Sequence, residues 1–306
     1  MAQTNTGTPY KRRRLGQNTG WDVAFHIVNY TLVTFFTLLC VAPYINQLAM
    51  AFSSNEAIKM GLVTLWPVGF QIDAMKAVLN DHSIIRALGV TVYITVVGTA
   101  LNMFFNILAA YPLSRKDLVG RQYFMNFLIF CMLFNAGMIP GYLLVRWLGM
   151  IDTLWALMIP GMISVFNVII MKTFFQGIPD ELREAAVMDG CGNTKYVFRV
   201  VLPLSTASLA TLSLFYAVGH WNTYMSAIIY INSPEKYTLQ VKLRNILLLS
   251  QMDTSLENIQ LLDRLDVIAE SLKAAVVIFA TTPILVVYPF LQRYFIQGAM
   301  LGSVKG

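Results

Sequence analysis

The chain has 306 residues, 57% of them hydrophobic and only 12% charged, with a mean hydropathy of +0.60. That balance lies outside the range of soluble domains and argues for one integral membrane domain. The formal charge of +6 would suit nucleic acid, but much of the basic charge stands beside apolar runs, where it sets membrane orientation instead.

Taken in chain order, the sequence opens on a polar segment, 1–24, that carries Lys11-Arg12-Arg13-Arg14. The apolar run behind it, 25–48, is too long for a signal-peptide core and lacks a small-residue cleavage site, so it is expected to stay as an anchor. An outer segment, 49–83, follows with Trp66-Pro67 and the polar Gln71, Asp73 and Lys76. Further crossings are expected at 84–111, 123–144, 154–175, 204–231 and 272–294. Each is near the ~20 residues that a ~30 Å hydrocarbon core requires. The expectation is an all-α polytopic membrane protein with six transmembrane helices, five of them in a core over 84–296 and a short tail over 297–306. With alternating crossings, Lys11 to Arg14, Arg115, Lys116, Arg121, Lys172, Arg183, Lys195, Arg199, Arg293 and Lys305 share one side. The positive-inside rule makes that side cytoplasmic, with both termini inside. The other long outer segment, 232–271, mixes Lys242, Arg244, Asp253, Glu257, Asp263, Arg264, Asp266 and Glu270. Its apolar spacing predicts a short amphipathic helix over 239–249. It suits either a folded cap or a docking surface for an outer partner.

Between the fourth and fifth crossings, 176–203 reads as two short helices around a sharp bend. Pro179 suits a first helical turn, and Asp180 and Glu181 complement the positive end of the helix dipole. Leu182, Ala185 and Ala186 supply an apolar face small enough for close approach by another backbone, while Gly190 can take the left-handed conformation that ends a helix. Thr194 is a candidate cap for the next turn, and Pro203 marks the return to the membrane.

The run Glu184-Ala185-Ala186-Val187-Met188-Asp189-Gly190, closed by Leu202-Pro203, resembles the EAA loop of ABC-importer permeases. Glu-Ala-Ala alone would carry almost no weight; the whole pattern between two apolar segments is far more specific. Phe174 to Leu182, Trp221-Asn222, Pro283 with the run to Arg293, and the ending Gly302-Ser303-Val304-Lys305-Gly306 are similar to the maltose-type carbohydrate group of those permeases. Asn135-Ala136-Gly137-Met138-Ile139-Pro140 resembles a subgroup that handles oligosaccharides or polysaccharides, including acidic ones. The resemblance covers most of 20–306 and implies the type I importer (MetI-like) fold. It also implies a second permease subunit, two ATP-binding subunits, an extracytoplasmic solute-binding protein and a place in the bacterial inner membrane. Glu184, Ala185, Ala186, Asp189 and Gly190 would couple to an ATPase subunit, and Gly302 to Gly306 would insert between the two ATPase subunits. ATP and magnesium would be used by those partners. This chain has no G-x-x-x-x-G-K-[ST] phosphate cradle and is expected to bind no cofactor or metal and to catalyse nothing.

Polar residues at membrane depth should face protein or water. Asn102 and Asn106 stand a turn apart, Asn135 and Asn167 follow in the next two spans, and His220, Trp221, Asn222 and Tyr224 cluster in the fifth. Trp221, Asn222 and Tyr224 combine aromatic faces with hydrogen-bonding groups, as a sugar path requires; interhelical hydrogen bonding is the competing role. The three cysteines, Cys40, Cys131 and Cys191, and the three histidines, His26, His82 and His220, have no metal-ligand spacing, and no nucleophile elbow is present. The rival functions are an importer permease for a solute other than sugar and a stand-alone ion-coupled carrier. The latter would want internal repeats and buried charges, and neither is evident.

Overall fold

A backbone in lipid must satisfy its own hydrogen bonds, so apolar runs of this length dictate helices. The computed structural model describes residues 20–134, 136–252 and 270–289, and among these there is no strand. Lys11 to Arg14, Asn135, Asp253, Glu257, Asp263, Arg264, Asp266, Arg293 and the Gly302 to Gly306 tail lie outside the described residues.

Helix α1 (Gly20–Ala51) ends one crossing, and α2 (Asn55–Lys59) and α3 (Asp73–Asn80) shape the segment that follows it. Asp81 then caps α4 (His82–Ser114), its carboxylate accepting the Ser83 N–H at 2.7 Å. With 33 residues, α4 is about 50 Å long. It buries Ile84, Ala87, Thr91, Ile94, Gly98, Asn102, Asn106, Ala110 and Leu113, a stripe repeating every three or four residues. Against that stripe lie α8 (Val165–Gln176) and α12 (Thr206–Trp221). The buried positions of α12, Ser208, Leu212, Tyr216 and His220, repeat every fourth residue, as ridges packed into grooves require.

The expected spans are only partly continuous. Among the described residues three helices are long and apolar enough to cross a membrane: α1 from Val23, α4, and α15 (Glu270–Pro289). Among the described residues the number rises to five if each of two bent pairs counts as one crossing. The third run divides into α5 (Arg121–Leu133) and α6 (Met138–Trp147) at a bend of 111°. Gly137, with φ +86°, opens α6 in a conformation that cannot prolong α5. The fourth run yields a single turn, α7 (Trp155–Met158), and then α8, whose 12 residues reach only about 18 Å. Between them Pro160 and Gly161 break the helix, and α4 repairs the loss: Asn102 Nδ2 donates to the Gly161 and Met162 carbonyls at 3.0 and 3.1 Å. In the fifth run α12 stops at Trp221 and a short α13 (Met225–Tyr230) resumes after it, followed by the amphipathic α14 (Leu239–Met252), a little longer than expected.

The bundle has two distinct ends. Residues 115–120 and 176–203 meet at one, through contacts such as Lys116 Nζ to Asp180 at 3.3 Å. At the other, Arg86 pairs with Glu235 at 3.5 Å and Asp152 binds 232–236.

Candidate functional site

The handle at the first end is built by α9 (Asp180–Met188), a bend, and α10 (Asn193–Tyr196). Pro179 takes the position before the first turn rather than within it, with ψ 136°, and Asp180 and Glu181 begin the helix. The bend closes with paired hydrogen bonds: Cys191 N–H to the Ala186 carbonyl at 2.8 Å and Gly190 N–H to the Val187 carbonyl at 2.9 Å. This is the Schellman arrangement, and it sets Gly190 at φ +72° in the left-handed region. A side chain at Gly190 would meet nothing within 4 Å, so backbone conformation alone demands the glycine. Gly192, not Thr194, precedes α10, and Thr194 lies within its first turn. From Val197 to Val201 the helix widens by one residue per turn before Pro203, then turns by 84° at Ser205 into α12.

The two alanines of the motif have different tasks. Ala186 faces inward and packs with Ile178 and Cys191 against the cluster that contains Val168, Met171 and Phe175. Ala185, Glu184 and Asp189 face outward. No residue of α9 is buried, and its apolar side chains Leu182, Val187 and Met188 are exposed, Met188 by 88%.

What seats α9 was not read from the sequence. Arg115 Nε donates to Asp117 at 3.1 Å and Arg183 Nη2 to the same carboxylate at 3.3 Å. Lys116 Nζ reaches Asp180 at 3.3 Å, and Arg115 lies 3.9 Å from it. The turn after α4 is thus tied to both ends of the first half of α9. In the sequence Arg115 and Lys116 read only as orientation signals, and the adjacent Asp117 is the one local cue to their pairing. Beneath the handle a cleft of about 660 Å³ opens between Tyr111, Phe175, Glu184, Met188 and Tyr196.

In the membrane-depth seam the amide of Asn102 is fully used. Its nitrogen serves the two carbonyls already named, so its oxygen is left to accept from His220 Nε2 at 2.8 Å. Asn167 and Asn106 are buried too, and Asn106 has no hydrogen-bond partner among the described residues. The three candidates at the end of α12 do not converge on one pocket. Trp221 is buried against Leu239 and Ala274, and its indole N–H has no partner among the described residues. Asn222 is exposed and donates to the Val218 carbonyl at 2.9 Å, while Tyr224 packs toward Ile94 and Val241 under the Arg244 guanidinium, 4.9 Å from the ring centre. They do share the break between α12 and α13.

Residues 89–300 match the family model described as "Binding-protein-dependent transport system inner membrane component". The chain is 45% identical over 285 residues to a Bacillus subtilis protein named polygalacturonan/rhamnogalacturonan transport system permease protein YtcP, covering 92% of this chain and 98% of that one. It is 41% identical to protein LplC of the same organism, over 94% of this chain and 97% of the relative. Among solved structures it is similar to a bacterial ABC transporter involved in the import of the acidic polysaccharide alginate. The TM-score is 0.83 and the identity 32%, over 91% of this chain and 99% of the other.

Proposed function

The chain belongs to the family of binding-protein-dependent transport system inner membrane components, and we propose that it is the permease of an ATP-driven importer for oligosaccharides or polysaccharides of acidic type. As a member of that family it is a transport component of the inner membrane. Its proposed assembly is with a second permease, two ATP-binding subunits that use ATP and magnesium, and a solute-binding protein. One observation carries the coupling role: α9 buries none of its own side chains yet is held to the bundle by charge pairs from the turn after α4. Such an element is positioned for a partner rather than for its own core. Through Glu184, Ala185, Asp189 and the bend at Gly190 it would receive the movement of an ATPase subunit, and Ala186 would transmit it to α8.

The choice of solute rests on the relatives, one named for polygalacturonan and rhamnogalacturonan and one that imports alginate. Trp221, Asn222 and Tyr224 are proposed to border the path because they flank unwound backbone, which membrane proteins tolerate where it lines a cavity. The handle end, with Arg115, Lys116, Arg121, Lys172, Lys195 and Arg199, is proposed to be cytoplasmic, together with both termini and the Gly302 to Gly306 tail.

The test is a reconstituted complex of the permeases, the ATPase subunits and the binding protein. Binding protein loaded with oligogalacturonate or oligoalginate should stimulate ATP hydrolysis, and a neutral malto-oligosaccharide should not. Stimulation by the neutral sugar alone would overturn the acidic assignment. Uptake driven by an ion gradient without any ATPase subunit would overturn the importer itself.

A further inference from the structure

Where α12 gives way to α13, the chain is braced from the side by the start of α14. Thr238 Oγ1 donates to the Thr223 carbonyl at 2.8 Å, inside the break itself. The Leu239 N–H donates to Thr91 Oγ1 of α4 at 2.8 Å, and that hydroxyl donates onward to the Ala87 carbonyl at 2.9 Å. Thr91, Thr238 and Leu239 are fully buried. Buried hydroxyls with their hydrogen bonds made leave a helix little freedom of direction, so α14 departs from the bundle on a fixed course. This is the end opposite the handle, where Arg86 and Asp152 make their ties.

Arg244 stands on the exposed face of α14, and its guanidinium lies over the ring of Tyr224, 4.9 Å from the ring centre. Tyr224 is held in turn by its packing toward Ile94 and Val241. Other cations at this end finish on carboxylates: Arg86 on Glu235 at 3.5 Å, Lys236 on Asp152 at 3.1 Å and Lys273 on Glu270 at 2.6 Å. Arg244 has no ion pair and no side-chain hydrogen bond among the described residues. An aromatic face attracts a cation but offers no lone pair to the N–H groups of the fork, which therefore stay available. Stacking also restrains a long side chain, so less conformational freedom is lost when that fork captures a ligand.

We propose that Arg244 is a specificity-determining residue of the importer, binding a uronate carboxylate of the solute as it reaches the break between α12 and α13. This role rests on the reading of the chain as a permease for acidic glycans, and it adds the group that reads the acid. Two parallel N–H groups of a guanidinium match the two oxygens of a carboxylate, whereas a neutral sugar offers that fork no charge. The position favours solute over an acidic side chain of a partner protein. Tyr224, the ring that carries the guanidinium, and the exposed Asn222 two residues before it both belong to the break that borders the path.

The test uses the complete transporter in proteoliposomes, with oligogalacturonate and its methyl ester each presented on the binding protein. Wild type should take up the acid faster than the ester. Arg244→Gln should slow uptake of the acid about tenfold, as loss of a hydrogen-bonded charge pair predicts, and leave uptake of the ester unchanged. Arg244→Lys, which keeps the charge without the fork, should fall between the two. Equal thermal unfolding midpoints are expected for all three, because the side chain is exposed. A wild type that prefers the acid, with Arg244→Gln equally selective, would overturn this role and leave the acidic reading standing. A wild type without preference would overturn the acidic reading itself. If the substitution raised only the concentration of binding protein needed for half-maximal uptake, equally for acid and ester, Arg244 would be a docking residue and the proposal would fall.

Discussion

Gly98 of α4 lies directly against the His220 ring of α12. A Cβ there would lie 2.6 Å from the ring of His220, which is fixed by its hydrogen bond to Asn102. Gly98→Ala should therefore displace the ring, break that bond and cost about 1–3 kcal/mol. Gly89, on the same helix, has nothing within 4 Å of a would-be Cβ, so Gly89→Ala should be neutral or slightly stabilising. Thermal unfolding in detergent checks the pair; equal midpoints for the two variants would mean that the contact carries no energy. The asparagines follow the same division. Asn102 could be expected from sequence to hold helices together, but that its targets are the carbonyls freed around Pro160 depends on how α4 packs beside that break. The amide of Asn106, buried in the same seam with no partner among the described residues, is not told apart from Asn102 by the sequence.

At the scale of elements, α9 shows how much work a short surface helix obtains from orientation. Its surface ion pairs with the turn after α4 are each worth less than about 1 kcal/mol, so the inward contact of Ala186 must share the seating. Ala186→Leu should force α9 outward, accelerate proteolytic cleavage within 176–203 and uncouple ATP hydrolysis from transport. Ala185→Leu faces outward and should leave cleavage unchanged while weakening the proposed ATPase contact. Limited proteolysis of both variants, read beside ATPase stimulation, separates seating from docking. Identical cleavage of the two would show that the alanines are not divided in this way.

Across the whole molecule the two ends are organised differently, one as a protruding handle and the other as a set of tied loops. Asp152 is the tie at the second end. It adopts φ +59° and accepts the Ser233 hydroxyl and the Asn232 and Ser233 N–H groups, with Lys236 Nζ at 3.1 Å. Those hydrogen bonds, Ser233 first, hold the carboxyl well below the usual carboxylate range. A depressed carboxylate contributes stability that is present above its unfolded value near 3.9 and is lost only as the pH falls through the folded value. The tie should thus be intact at pH about 5 and above. Asp152→Asn tolerates the same backbone but removes the charge, and should loosen 232–236 at every pH in that range. Hydrogen exchange of the 232–236 amides measures this; protection in the wild type that fell between pH 7 and about 5 would contradict it. The stretch of α1 with the highest hydropathy has none of its residues buried, whereas a third of the equivalent stretch of α15 is. Most of α1 is therefore available to lipid or to another subunit.

Membrane residence, helical class and the sharp bend closed by Gly190 were legible in the sequence. Each depends on local composition or on a compact motif such as Glu184 to Gly190, whose turn chemistry needs only neighbouring residues. Tertiary structure alone decided where the crossings break, since Gly137, Pro160 and the end of α12 are tolerated only where other side chains take over the freed backbone or space. It also decided which alanine of the motif faces the bundle and which charges seat the handle, because residues such as Asp117 and Arg183, 66 positions apart, meet only after α4 and α9 have docked. Hydropathy records how much of a segment avoids water; it carries no record of which distant segment will complete its hydrogen bonds.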